Sequence, residues 1–216
     1  LCIPEEEYDT SGDIIAALTD DYPAVKELLI SRIDQMRSQG MDRLIIDLRD
    51  NDGGLDMISA AVASLFTTEE IRTYSGFISG GKLVETKYWK WTVPADGRYS
   101  DIPVVVLVNA GTASAGDILT YNLSTCPNVT VMGITTSWGC AQGVAQTCLL
   151  SGGSIRLRYS IMATLDEDRN IYIDPGPDRI SGITLDEKIP FDMDAVNKIY
   201  VQGLDYELEY ALDWIE

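Results

Sequence analysis

Hydrophobic positions along this chain recur with two different periods, and the switch between them lays out an order of elements. Val25, Leu28, Leu29, Ile33 and Met36 fall on one face at helical spacing. They predict a helix over residues 23–39, with Pro23 in its first turn and Gly40 as its stop. Residues 43–48 then form a short apolar run of the kind a parallel strand needs when both of its faces are covered. Residues 57–66 return to a helical pattern, with Ala60, Ala61 and Ala63 small enough for close packing. The run "PVVVLVN" at 103–109 predicts a second buried strand, 113–123 a helix, and 129–133 a third strand.

Between these units lies "IRTYSGFISGGKLVETKYWKW", with aromatic and β-branched residues on both sides of Gly80-Gly81. That is a hairpin signal over 71–91, and its aromatic face is expected to pack on the domain. Beyond Gly143 the pattern shortens to strands at 144–149, 154–161 and 171–173. The end, "DAVNKIYVQGLDYELEYALDWIE", reads as an amphipathic closing helix, interrupted near Gly203. Strands alternating with helices give an α/β fold with a largely parallel sheet and an inserted β-hairpin, as a single domain over 1–216.

Composition narrows the function more by exclusion than by suggestion. No apolar run approaches the length of a membrane span. The start, "LCIPEEEYDTSG", lacks the basic-then-apolar pattern of a signal peptide, so the chain reads as intracellular or as a mature or trimmed piece. A net charge of −18 repels phosphate backbones and anionic membrane surfaces, but tolerates a cationic peptide. There is no histidine, which removes Ser-His-Asp triads, Cys-His dyads and histidine metal sites built from this chain alone. The cysteines, Cys2, Cys126, Cys140 and Cys148, include no C-x-x-C pair. A Cys140–Cys148 bridge fits an oxidising compartment; free thiols are the preferred reading. No cofactor and no metal is implied.

Two strand ends carry unusual residues. Residues 45–57, "IIDLRDNDGGLDM", place Gly53-Gly54 at the tip of a core strand. Sixty residues later "NAGTASAGDI" places Ser114 between alanines at the start of a helix. Ser114 or Thr112 would serve as an ordinary helix cap. Alternatively Ser114 is a nucleophile whose helix supplies a free amide from Ala115, with Gly53 or Gly54 completing an oxyanion hole. Only glycine turns a backbone N–H toward a substrate without a Cβ in the way; the competing account is a tight turn needing positive φ.

These stretches resemble the carboxyl-terminal (tail-specific) processing proteases, the S41 serine peptidases. "LIIDLRDNDGG" is similar to their D-L-R-x-N-x-G-G segment, and "VVVLVNAGTASAGDI" to the stretch that carries their nucleophile, with Ser114 at its position. "VAQTCLLSGGSIRL" resembles the segment after their catalytic lysine, with Gln146 at the glutamine position. The resemblance covers residues 39–157 and a closing helix. It implies a crotonase/ClpP-like core, peptide-bond hydrolysis through an acyl-enzyme on Ser114, oxyanion amides from Gly54 and Ala115, and a polypeptide or C-terminal tail as substrate. It also implies an extracytoplasmic or secreted setting. The family's PDZ-like and N-terminal regions are not in this sequence. Related folds oligomerise, which leaves a homo-oligomer or an assembly scaffold open.

The match breaks at the general base. The family pattern K-G-x-x-Q reads here as Gln142-Gly143-Val144-Ala145-Gln146, and no lysine occurs between Lys90 and Lys188. An amide cannot take the serine proton. Three accounts stay open: a base from outside this segment, as in the histidine-using tricorn-like branch, with Asp174 or Glu167 as the later acid; a silent peptide-binding module; or a shared fold in which Ser114 only caps its helix. Asp117 reads as a complement to the helix dipole, and Arg49 as an ion-pair partner for Asp47, Asp50 or Asp52. Asn122-Leu-Ser and Asn128-Val-Thr match the glycosylation pattern, which matters only in a secretory pathway.

Overall fold

The computed structural model describes residues 14–142, 145–176 and 178–216. Its centre is a four-stranded parallel sheet in the order β1-β4-β5-β9, formed by β1 (Leu44–Asp47), β4 (Val104–Leu107), β5 (Val129–Gly133) and β9 (Glu187–Lys188). The period-2 alternation sorts its side chains to two cores. Leu44, Ile46, Leu48, Val104, Val106, Val108, Val129 and Val131 face α1 (Ile14–Ser38), α2 (Asp56–Ser64) and α3 (Ala115–Ser124). Ile45, Val105, Leu107 and Met132 face the other way, onto Ala195, Tyr206 and Ala211 of the C-terminal helices. Those are α4 (Met193–Val196), which runs on as a π-helical turn over Asn197–Val201, and α5 (Tyr206–Ile215). The chain breaks between them at Gly203 (φ 68°), as the pattern there predicts.

Register places the site. Asp47 pairs with Leu107 and Leu107 with Met132, so β1, β4 and β5 end level with one another. The loops that follow, residues 48–55, 108–114 and 134–142, therefore leave the same carboxyl edge of the sheet, where ligands collect in open α/β folds.

The hairpin forms as expected: β2 (Ile71–Ser79) and β3 (Lys82–Val93) pair antiparallel around Gly80-Gly81 (φ 58° and 73°), the positive-φ geometry of a type I′ turn. Its aromatic residues are not covered. Trp89 is 52% exposed and Trp91 40%. A third strand, β8 (Met162–Leu165), pairs with the other edge of β2, with Met162, Ala163 and Leu165 buried. The expected strand at 154–161 is β7 (Arg156–Ser160), which pairs with β6 (Ala145–Leu149) in a separate ribbon, while β8, which directly follows it and was not expected, leaves for the other sheet. Residues 171–173 contribute only an isolated bridge to Leu165. Pro23 is another correction. It lies inside α1, which reaches back to Ile14, while Val25, Leu29 and Ile33 are buried as predicted.

Arg49 fastens the C-terminal helices to the end of β1. Its guanidinium donates to both oxygens of Asp47 and both of Asp205, at 2.6–2.9 Å, and lies 3.5 Å from Glu207. Asp205 also caps α5 through the Leu208 amide. The Arg49 hydrogen bonds hold Asp205 below the ordinary aspartate value of 3.8, against partial burial. For Asp47, burial pushes upward, but Arg49 outweighs it and the carboxyl is also low. A depressed carboxyl contributes stability above its unfolded pKa and loses it as pH falls through the folded one. Arg49→Ala is therefore expected to destabilise the fold by about 1–2 kcal/mol at neutral pH, since the partners are part-exposed. The gap between the two proteins should close as pH falls below 3.8, which urea unfolding at several pH values measures.

Candidate active site

The three loops at the carboxyl edge are knitted by backbone and short polar side chains. Thr112 Oγ1 donates to the Leu48 carbonyl and accepts the Asn109 amide. Asn109 Oδ1 accepts from the amides of Asp50 and Gly111, and its Nδ2 donates to Asp50. The Ala113 amide reaches the Asn51 carbonyl at 2.9 Å, and the Trp138 amide reaches the Thr112 carbonyl at 2.8 Å. Asn109 is the site-builder that the sequence reading misses, and Thr112, read there as a candidate helix cap, ties β4 to the end of β1 instead. The Asn-x-x-Thr spacing at the end of β4 is the local signal that marks them.

Ser114 stands at the turn from β4 into α3 with φ 55° and ψ −121°. Positive φ in a residue with a Cβ costs about 1–3 kcal/mol and persists only when its surroundings impose it. The impositions are visible. Its amide donates to the Cys140 carbonyl (3.2 Å), and its carbonyl accepts the first helical bond, from Ile118 (3.1 Å). Ser114 is the N-cap residue by position, yet its hydroxyl makes no capping bond. Asp117, three residues on, stands at the acidic position of a capping box, and the nearby Ser114 amide favours its charged form. The serine does not reciprocate, so its half-buried hydroxyl stays uncommitted.

The Gly-Gly tip lies against it. A Cβ added to Gly53 (φ 107°) would sit 2.6 Å from Ser114 Cβ, 2.8 Å from the Ala113 carbonyl oxygen and 2.9 Å from the Ala115 nitrogen. Gly53 thus serves close approach as well as positive φ. Its own amide is taken by Asn51 Oδ1 at 3.0 Å. Gly54 (φ 150°) opens on free space, with nothing within 4 Å of an added Cβ. Among the described residues, neither the Gly54 amide nor that of Ala115 has a hydrogen-bond partner. Of the two glycines, then, Gly54 is the one whose amide has no partner among the described residues.

The 134–142 loop closes the other side. Asp117 is fully buried and accepts from the amides of Gly139 and Cys140, each at 3.2 Å. Burial pushes its carboxyl above the ordinary value; Ser137 and the three amides pull against this without overcoming it. Its work is to hold the loop, beyond the dipole role read from sequence. Asp174 accepts from the Ala141 amide (3.1 Å), the Thr164 amide (2.7 Å) and the Thr164 hydroxyl, so it anchors the same loop to β8. Glu167 is exposed and pairs with Arg72 at 3.4 Å. Gln142 is half-buried, two residues beyond the carbonyl that holds Ser114. Gln146 is exposed on β6, opposite Tyr159, with no side-chain partner among the described residues. Gly143 and Val144, between them, lie outside the described residues, as does Cys2. Cys126, Cys140 and Cys148 are free thiols, as preferred from sequence. Desolvation, Asp174 and Asp117 all push the Cys140 thiol up, which disfavours a thiolate beside Ser114. Asn122 is buried, so its glycosylation pattern is not accessible in this fold.

A model of peptidase family S41 matches residues 18–187. A carboxyl-terminal-processing protease of Picosynechococcus sp. is 36% identical over 95 residues, covering 44% of this chain and 21% of that protein. The carboxy-terminal processing protease CtpA of Bacillus subtilis is 31% identical over 144 residues, covering 64% and 28%. The chain thus spans under a third of the length of these relatives. Among solved structures, a Parabacteroides merdae protein assigned as a peptidase superposes with a TM-score of 0.66 at 25% identity, covering 86% of this chain and 56% of its own.

Proposed function

The chain belongs to peptidase family S41, and from that premise we propose that it is a serine-type peptidase domain whose nucleophile is Ser114. Ser114 Oγ attacks the scissile carbonyl carbon and gives up its proton. The carbonyl oxygen, now anionic, is held by the amides of Gly54 and Ala115, the second reinforced by the N-terminus of α3. The C–N bond breaks as the leaving amine takes, from the general base, the proton that Ser114 gave up, and water activated by the same base later hydrolyses the acyl ester and frees Ser114. The substrate class is a polypeptide, with an unstructured carboxyl-terminal tail favoured by the names of the relatives. The observation that carries this reading is the contact between Gly53 and the Ser114–Ala115 turn, in which a strained serine keeps its hydroxyl out of any cap.

The proton acceptor is the missing piece. No histidine is present and Gln142 stands in the lysine position. We assign the base to a group from outside these 216 residues. The second reading, a silent peptide-binding module, is favoured by the same Gln142. A fluorophosphonate probe separates them. Labelling of the full-length protein but not of its Ser114→Ala variant supports the peptidase. Binding of tail peptides by calorimetry with no labelling at any pH supports the silent module.

A further inference from the structure

A pocket of about 180 Å³ opens between α2, α3 and the end of β3, with Asp56, Met57, Ala60, Trp91, Ile118 and Asn122 among its walls. Its walls come from the two helices that follow the Gly53-Gly54 tip and Ser114 in the chain. Asp56 is two residues past Gly54, and Ile118 donates its amide to the Ser114 carbonyl. Most of its wall is apolar, and its polar residues are Asp56, Thr92 and Asn122. Asn122 is 2% exposed, and its Oδ1 is buried without a hydrogen-bond partner among the described residues. Buried amide oxygens are rarely left so. Asp56 starts α2 half-buried, with no ion pair or side-chain hydrogen bond among the described residues. The Trp91 indole is fixed by its Nε1–H bond to Ser75 Oγ at 2.8 Å.

We propose that this pocket receives a lysine side chain of the peptide substrate, its aliphatic stem along Met57, Ala60 and Ile118 and its ammonium on Asp56 and Asn122 Oδ1. The proposal rests on reading the Ser114 site as a peptide site. Lysine fits better than arginine, because two acceptor groups suit three ammonium donors better than five guanidinium N–H groups. The Trp91 ring adds a cation–π surface for the same charge. The chain's net charge of −18 raises the local concentration of cationic segments.

The test uses the Ser114→Ala chain and two fluorescein-labelled peptides, Ala-Ala-Lys-Ala-Ala and the same peptide with norleucine for lysine. Norleucine keeps the stem and drops the charge. The lysine peptide is expected to bind about tenfold more tightly, the scale of one charge-assisted hydrogen bond. Asp56→Asn should erase that preference while the norleucine affinity stays, which also reports that the variant is folded. Equal binding, a norleucine preference, or a preference that survives Asp56→Asn overturns the lysine pocket and leaves the peptide site standing. Failure of both peptides to bind overturns the pocket too, whereas fluorophosphonate labelling of the full-length protein judges the peptidase reading separately.

Discussion

Gln142→Lys, made in these 216 residues alone and so without the outside base, is expected to raise the rate at which Ser114 is acylated by about 10²–10⁴-fold, the usual worth of a positioned general base. Gln142 leads the half of the loop that follows Cys140, whose carbonyl bonds the Ser114 amide. The loop is held from both sides by buried carboxylates, Asp117 on Gly139 and Cys140 and Asp174 on Ala141. A side chain at 142 therefore leaves a fixed point rather than a mobile tip. It is half-buried, and partial burial lowers a lysine pKa toward the range where the neutral amine accepts a proton. The variant should gain activity with rising pH as the new amine deprotonates, while the parent shows no such step. Fluorophosphonate labelling rates and peptide hydrolysis from pH 6 to 10 measure it. An unchanged rate across that range would show that a lysine at 142 does not reach the Ser114 proton.

Gly53→Ala is expected to disable the site and loosen the fold together. The added methyl meets Ser114 Cβ, the Ala113 oxygen and the Ala115 nitrogen at 2.6–2.9 Å, two of them backbone atoms that cannot rotate away. The φ of 107° adds strain of its own. Overpacking and strain together predict a loss of about 2–4 kcal/mol in denaturant unfolding. Displacing the Ser114 turn predicts at least a ~100-fold drop in labelling, because a small misplacement of reacting groups is that costly. Gly54→Ala is the contrast. With no neighbour within 4 Å it escapes the clash, so its stability loss should be the smaller of the two. If Gly53→Ala were as stable and as reactive as the parent, the close approach of the two loops would be wrong.

What could be read beforehand follows from how local each cause is. The runs behind β1, β4 and β5 are legible because burial on both faces demands unbroken apolar residues. The hairpin is legible because Gly80-Gly81 prescribes its turn. By contrast, β8 hides in a stretch that looks like the end of β7, since its partner β2 lies some ninety residues earlier. Pro23 misled because the rule for a first-turn proline is local, whereas α1 continues through it. The exposed Trp89 and Trp91 could not be placed, because alternation says which residues share a face and not which face is covered.

At the site, the chain order alone specified the chemistry on offer: a serine opening a helix, two glycines at a strand tip, and neither lysine nor histidine to act as base. Tertiary structure decided what each could do. It brought Gly53 against Ser114, left the serine hydroxyl uncapped, committed the Gly53 amide to Asn51 and left that of Gly54 without a partner among the described residues. It also turned Asp117 from a dipole partner into the clamp of a loop more than twenty residues away. The division has a physical reason. Residue type and short-range pattern fix what a group can donate, accept or attack, but which group meets it depends on strands that end level because the sheet's register makes them so.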